Sequence, residues 1–410
     1  MSNTPSNPAA QGPNVPRIEA GDRESPFLGV FRALGSILGP LIGLILVITV
    51  FGIWQPDSFL SKEAFRSVFE HNYHYVIAAI GATFVIITAG IDLSVGSTMG
   101  LASVCCAMAA AGTHFPEFEW QQGLVIGGGV ALLTGLCFGG WTLQRGWTRW
   151  RACFWAVVSA TAAAGTGLAG WRLLSGVSIA PMPVLIALLV GVASGALVGL
   201  LNGTLITTLS LPPFIVTLAT LGAVRGLTLY ITGGIPIPNL PESISKLHYG
   251  PWSPWLLGIS PNLWITIAVV VVSIPLLHFT VFGRYAFAIG SNERTARLCG
   301  VHVERWKTLC YVIAGSTAGL AGAIMTASLG GRPTNFEGLE LIAIAAVVIG
   351  GTSLFGGEGT VAGSILGVLM LGFLNTGCTM ASLSSYVQPI FIGATIVIAA
   401  AIDRFRHLGR

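Results

Sequence analysis

Few residues in this sequence could do covalent chemistry, and their spacing argues against it. The seven cysteines, Cys105, Cys106, Cys137, Cys153, Cys299, Cys310 and Cys378, lie inside or beside apolar runs. None forms a CxxC pair or stands at ligand spacing from a histidine, so neither a disulfide framework nor a zinc site is indicated. Small buried hydrophobes is the plain reading of these thiols. The seven histidines are scattered, and none pairs with another at ligand spacing. The lysines are Lys62, Lys246 and Lys307, and none follows a glycine, so a GxxxxGK[ST] phosphate loop is absent. If ATP is used, a separate subunit must bind it. There is no HExxH, no GxSxG and no pair of aspartates facing each other from two apolar stretches. Charge within the apolar stretches is limited to Arg172 and Arg225, with Asp92 and Glu340 near stretch ends. A carrier coupled to protons or sodium keeps carboxylates or histidine relays near the midplane. Their scarcity weighs against that class, although backbone carbonyls at broken helices also hold sodium. The sequence therefore points to no enzyme, no cofactor and no metal, and leaves a channel, a carrier and the membrane half of a pump open.

The elements that must position such residues follow from composition. Of 410 residues 53% are hydrophobic and only 9% charged, with 20 Lys+Arg against 16 Asp+Glu and a net charge of +4. An ordinary soluble domain carries about 25% charged residues. Glycine, 54 of 410, is about twice as frequent as usual. A soluble enzyme, a collagen-like chain and a disordered chain are excluded, and nothing suggests a nucleic-acid partner. The expectation is an all-α, polytopic membrane protein of about 10–12 transmembrane helices, because only a helix satisfies its own backbone across ~30 Å of hydrocarbon.

Apolar stretches are read at Ala33–Trp54, Tyr73–Ala89, Val95–Gly112, Gln122–Thr142, Ala152–Leu174, Pro183–Leu209, Phe214–Ile231, Pro261–Phe282, Thr308–Leu329, Leu339–Thr352, Thr360–Cys378 and Tyr386–Ile402. The stretch at Leu339 is short enough to be broken or re-entrant. Residues 1–32 are expected to be a disordered tail with no signal-peptide cleavage site. A transmembrane domain follows over 33–403, then a short tail over 404–410. The connection 232–260, with its Pro and Trp, is expected to be an ordered cap outside the cytoplasm. Alternating sides from a cytoplasmic N-terminus puts Arg145, Arg149 and Arg151 inside, with Arg284, Arg294, Arg297, Arg305, Lys307, Arg404, Arg406 and Arg410. The opposite loops hold Glu117, Glu119, Glu242 and Lys246, with Arg332 as the exception. Short Lys/Arg-rich loops stay cytoplasmic, so both termini are expected inside.

The loop 283–307, GRYAFAIGSNERTARLCGVHVERWK, is the longest hydrophilic connection between late stretches. Ser291-Asn292-Glu293 can cap a short helix through Thr295, Ala296, Arg297, Leu298 and Cys299, and Gly300 supplies a left-handed stop. Leu298 and Ala296 give it a small apolar edge. Such a helix could be a lever gripped by a cytosolic subunit; an ordinary positively charged loop is the alternative.

This loop resembles the cytoplasmic loop of sugar permeases of the ribose/xylose/galactose type in ATP-binding-cassette importers. Three further segments resemble the same family in the same order: GIDLSVGS from Gly90, LPPFIVTLATLGAVRGL from Leu211 and IAAVVIGGTSLFGGEGTVAGSILG from Ile344. The resemblance implies a type II importer-like permease fold. It also implies a coupling element, carried here by Asn292, Glu293, Arg294, Thr295, Ala296, Arg297, Leu298 and Gly300, that docks into a separate ATPase. Other implied partners are a periplasmic sugar-binding protein, a second permease copy and a monosaccharide cargo, all in membrane lipid. The chain departs from the family in two places. Leu339-Glu340-Leu341-Ile342 stands where the family usually reads Tyr-Glu-Leu-Asp, without the aromatic and the Asp. It also carries an extra hydrophobic pair, roughly 122–174, which resembles xylose-type members and favours a pentose such as D-xylose or ribose.

Candidates for the translocation pathway are Asp92, Ser94, Asn202, Thr217, Glu340 and Asn375, with Thr220 and Arg225 similar in kind. Asp92 or Ser94 could instead cap the following helix. Asn202 and Asn375 could instead bond between helices. The segments VIITAGIDLSVGSTMG from Val85 and VVIGGTSLFGGEGTVAG from Val347 echo one another, each running stretch, Gly-rich turn, stretch. A secondary-active carrier or facilitator is the competing function, and a structural or receptor membrane protein a third.

Overall fold

Apolar runs wind into helices throughout the computed structural model, which describes residues 26–112, 180–237, 239–249 and 259–383, with 157, 389–390, 393–394 and 397 as isolated positions. The chain forms two units, Met1–Gly35 and Ser36–Arg410. The described part of the first unit is helical, and the packing and sites described below are those of the second.

Among the described residues the elements are α1 (Pro26–Trp54), α2 (Pro56–Phe59), α3 (Lys62–Ile87), α4 (Val95–Ala111), α5 (Val184–Leu209), α6 (Pro213–Thr232), α7 (Glu242–Tyr249), α8 (Pro261–His278), α9 (Val281–Ser291), α10 (Glu293–Leu298), α11 (Val303–Leu329), α12 (Leu339–Ile349) and α13 (Val361–Met380). One isolated antiparallel bridge joins Ile237 to Gly331. Among the described residues α5, α6, α8, α11 and α13 are long and apolar enough to cross a membrane. The architecture is an all-α, polytopic membrane bundle. The expected stretches 122–142 and 152–174 lie outside the described residues apart from Val157, and 386–402 apart from isolated positions.

Local chemistry sets the helix starts. Ser61, Ser260 and Thr360 each accept a hydrogen bond from a backbone N–H in the first turn of α3, α8 and α13, at 3.2, 3.2 and 3.0 Å. Several boundaries differ from expectation. α1 starts at Pro26 rather than Ala33, since Pro suits a first helical turn and Phe27, Leu28, Val30 and Phe31 continue the apolar run. α3 starts 11 residues before the expected Tyr73, because its polar first half is still capped helix. The expected single stretch 261–282 breaks at Phe279, after an internal Pro275, and restarts as α9.

α11 is the central helix, packed on α3, α4 and α5. The contacts are made by glycine. A Cβ on Gly195 would meet Gly319 Cα at 2.6 Å, one on Gly203 would meet Thr308 Cα at 2.7 Å, and one on Gly199 would collide with the Tyr311 carbonyl. Small residues let the backbones approach closely where lipid offers no hydrophobic drive. The order Gly195–Gly319, Gly199–Tyr311, Gly203–Thr308 makes α5 antiparallel to α11. α4 runs parallel to α11, with Met99 against Gly322 and Ser103 Oγ at 3.1 Å from Thr326 Oγ1.

Two connections fold back into the bundle. After α3, residues 88–94 turn so that the Gly90 N–H donates to the Val85 carbonyl at 3.0 Å, and α4 begins only at Val95. After α11, residues 330–338 run beside α4 from Ala107 through Gly100 to Gly96, and α12 begins at Leu339. α12 has 11 residues, about 16 Å of rise, half of what a crossing needs.

Candidate functional site

Two groups of residues stand out, one on the bundle's rim and one within it. On the rim, the connection read as loop 283–307 is almost wholly helical. Thr280 precedes α9, Asn292 precedes α10, and α11 starts at Val303, five residues before the expected Thr308. Asn292 Oδ1 accepts the Thr295 N–H at 2.9 Å, which holds the first turn of α10. Gly300, with φ +84° and no atom near its missing Cβ, ends the turn after Cys299. Glu293 accepts from Lys307 Nζ at 2.9 Å and from Arg297 at 3.5 Å. Arg297 also donates to Glu304 on α11. That bond raises the Arg297 pKa above its usual value, against the opposite pull of partial burial.

Ala296 and Leu298 do not share one apolar edge, as the sequence reading had them. Ala296 is 5% exposed and packs with Ile289 and Val303, whereas Leu298 is 82% exposed. In a helix of six residues, positions two apart point to different sides. Arg294 and Thr295 are exposed as well. Beside α10 lies a cleft of ≈490 Å³, lined by Glu293, Arg297, Glu304 and Lys307 on one side and by the facing ends of α5 and α6 on the other.

The rim joins the interior through backbone. The Gly357 N–H donates to the Ile87 carbonyl at 2.8 Å, at the end of α3. A Cβ on Gly290 would collide with the same carbonyl, and one on Gly356 would meet Ala89 Cβ at 2.9 Å. The two turns that echo each other in sequence therefore meet, with the end of α9 wedged against them. Thr83 Oγ1 and Ser364 Oγ, both buried, lie 2.7 Å apart just above.

Within the bundle, four candidate residues form one buried network. Asp92 Oδ1 accepts from Ser94 N–H at 2.8 Å and from Ser94 Oγ at 2.6 Å. Asn202 Nδ2 on α5 donates to Ser94 Oγ at 2.8 Å. Thr217 on α6 donates to the Ile91 carbonyl at 3.2 Å. Neither Asp92 nor Ser94 caps α4 through its side chain: Ser94 is the N-cap residue but makes no such bond, and Asp92 holds the turn before it. Asn202 ties α5 to the turn before α4, with its Oδ1 buried and unbonded among the described residues. Among the described residues Thr220 bonds only within its own helix, and Arg225 faces Glu337 at 3.7 Å.

Glu340 sits nearby in the first turn of α12. Its Oε1 accepts from Gly338 N–H at 3.3 Å, and Oε2 has no hydrogen bond among the described residues. A Cβ on Gly96, in the first turn of α4, would run into this carboxylate and the Phe336 carbonyl. The starts of two helices thus meet inside the bundle with a carboxylate between them. Helix N-termini favour negative charge, so the site that sequence reading placed at a stretch end is a junction of two interrupted helices.

Asn375 belongs to neither group. It lies on α13 and lines a ≈430 Å³ cavity against α3. The sequence reading missed Tyr311, which is fully buried on α11 with its hydroxyl unbonded among the described residues and a Cβ on Gly90 only 2.6 Å away. A lone Tyr ahead of the small-residue run Ala314–Gly319 was the available signal. Among the described residues no cluster of His, Cys, Asp or Glu could hold a metal.

Residues 71–400 match the family described as branched-chain amino acid transport system / permease component. The chain is 36% identical over 376 residues to the ribose import permease protein RbsC of Bacillus subtilis (strain 168), covering 91% of this chain and 94% of that protein. It is 30% identical over 365 residues to RbsC of Haemophilus influenzae, covering 89% and 92%. It is 30% identical over 366 residues to the autoinducer 2 import system permease protein LsrC of Photorhabdus luminescens, covering 88% and 89%. No solved structure matches.

Proposed function

Because this chain belongs to the branched-chain amino acid transport system / permease component family, we propose that it is the membrane permease subunit of an ATP-driven monosaccharide importer. The favoured cargo is a pentose, ribose or D-xylose. The observation that carries this reading is α10, a six-residue helix pinned by four charged side chains, whose one large apolar side chain, Leu298, points away from the rest of the molecule. An exposed leucine amid charge is what a gripped lever offers to a partner. The partner is a separate ATPase, since the sequence carries no phosphate loop of its own.

In this mechanism a periplasmic binding protein delivers sugar to a pair of permease copies in the bacterial inner membrane, with both termini of each copy in the cytoplasm. Nucleotide-driven closure of the ATPase pair displaces α10. The movement passes through Gly290 and Gly357 to Ile87, and so to the turn carrying Asp92 and Ser94. The junction between α4 and α12 then opens to one side or the other, a two-state switch biased by the docked partner. Hydroxyl and amide groups along the path suit an uncharged, hydroxylated cargo that is already selected outside.

The test is reconstitution of the chain in liposomes with its ATPase and binding protein. Labelled ribose and xylose should accumulate only with ATP and all three components. Sugar flux through the chain alone would sink the ATP-driven reading in favour of a facilitator.

A further inference from the structure

The ≈430 Å³ cavity between α3, α12 and α13 takes no part in the coupling route described above, and its lining is chemically selective. No Lys, Arg, Asp or Glu lines it among the described residues. Three amides do, Asn72, Asn335 and Asn375. Asn72 is held by a 2.7 Å hydrogen bond to the Val68 carbonyl, and a Cβ on Gly372 would press on its amide nitrogen at 2.8 Å, so that glycine leaves it room. The side chains of Asn335 and Asn375 make no hydrogen bond among the described residues and are exposed on the cavity wall. Each unpaired amide offers two donors and an acceptor oxygen with two lone pairs. The buried His74 ring makes no hydrogen bond among the described residues and packs on Tyr75, with ring centroids 4.0 Å apart.

From this lining we propose that the cavity is a binding chamber for a neutral polyhydroxylated solute, a stopping place for cargo on its way to the α4–α12 junction. The proposal rests on the importer reading only for the word cargo; the chemistry of the chamber stands by itself. An ion entering it would lose water and gain no counter-charge. A purely apolar solute would leave the amides unpaired, at ~1–3 kcal/mol for each desolvated group. A sugar meets both demands, with hydroxyls for Asn335 and Asn375 and a C–H face for Tyr75 and Leu339. The volume lies within the 300–1,000 Å³ range of small-molecule sites. Leu339 in the wall precedes Glu340 at the junction, so the chamber borders the contact that must open. A second cavity of ≈180 Å³ shares His71, His74 and Met325 with the first and is lined as well by His248 on α7 and by Glu70, whose charge Arg66 pairs at 2.6 Å.

The test is saturation-transfer NMR with D-ribose at millimolar concentration on the full chain in lipid nanodiscs, which reads binding without ATPase or binding protein. Transfer to the sugar C–H protons should be seen for the native chain and retained in N375Q, which keeps the amide. In the N335L/N375L double variant affinity should fall about tenfold, the loss of one to two hydrogen bonds. D-glucuronate should give no transfer. Absence of transfer in the native chain, undiminished transfer in the double variant, loss in N375Q, or equal transfer from glucuronate would each overturn the chamber. Binding as expected with no ATP-driven uptake in the reconstituted system would instead overturn the importer reading and leave the chamber standing.

Discussion

Leu298 offers the sharpest separation of fold from function. It is 82% exposed, so it contributes almost nothing to the packing of its own chain. Fully burying a leucine is worth about 1.5–3 kcal/mol. If a partner covers the exposed share, truncation to alanine should cost about 1.2–2.5 kcal/mol of docking free energy, roughly a 7- to 60-fold loss of affinity. Unfolding of the isolated chain should change by less than about 0.5 kcal/mol, as for surface positions in general. The two numbers are read by titrating the ATPase against L298A in nanodiscs and by thermal unfolding of the same preparation. L298M, which keeps the apolar bulk, should bind within about threefold of the native chain, a difference under ~0.7 kcal/mol. Unchanged affinity in L298A would refute the lever. So would a large fall in the stability of the chain alone, because that would assign Leu298 to an internal contact.

Three further outcomes are expected. Cys299 is exposed beside α10 while Cys106, Cys310 and Cys378 are buried; a membrane-impermeant maleimide should give labelling that C299A removes in inside-out vesicles, and no such difference in right-side-out ones. G195V puts a side chain where a Cβ already meets Gly319 Cα at 2.6 Å, and should lower stability by about 1–3 kcal/mol. G222A on α6 meets nothing within 4 Å and should be neutral or slightly stabilising, and equal melting temperatures for these two variants would contradict the glycine-packed α5–α11 contact. N202A removes the bond to Ser94 and should lower stability by ~0.6–2 kcal/mol; an unchanged unfolding midpoint would show that the network around Asp92 needs no support from α5.

How much of this was legible beforehand varies with the physics involved. α4, α5, α6 and α13 fall within about three residues of their expected bounds, because a long apolar run flanked by turn residues allows little else in a membrane. The start of α3 was missed since Glu63, Arg66 and Glu70 look like loop to a hydropathy reading, although Ser61 caps them into helix. The rim helix α10 could be read from Asn292 and Gly300, whose side-chain acceptor and positive φ act locally. That Ala296 and Leu298 face different sides follows from their spacing of two along a helix; that Ala296 is the buried one could not be read, because it depends on Ile289 and Val303 arriving from other helices. Asp92, Ser94, Asn202 and Thr217 were each recognisable as polar residues in apolar surroundings. Their union in one network depends on the register of α5 against α4, which is set by glycine contacts, those of α5 with α11 and that of Gly191 with Ala102 and Cys106 on α4. Glu340 was placed at a stretch end, where its sequence neighbours put it. That this end lies against Gly96 inside the bundle follows from the shortness of α12.

The meeting of Ile87, Gly290 and Gly357 has a mechanical meaning. Main chain touches main chain there, with no methylene groups between to swing aside. Side chains yield by changing rotamer, as a cushion does, whereas peptide planes bound carbonyl to amide are stiff. A push received on the outer rim therefore arrives at the neighbouring turns with little of its stroke spent on the way. Substituting a bulkier residue at position 290 or 357 would put a spring where the chain now has a rigid rod.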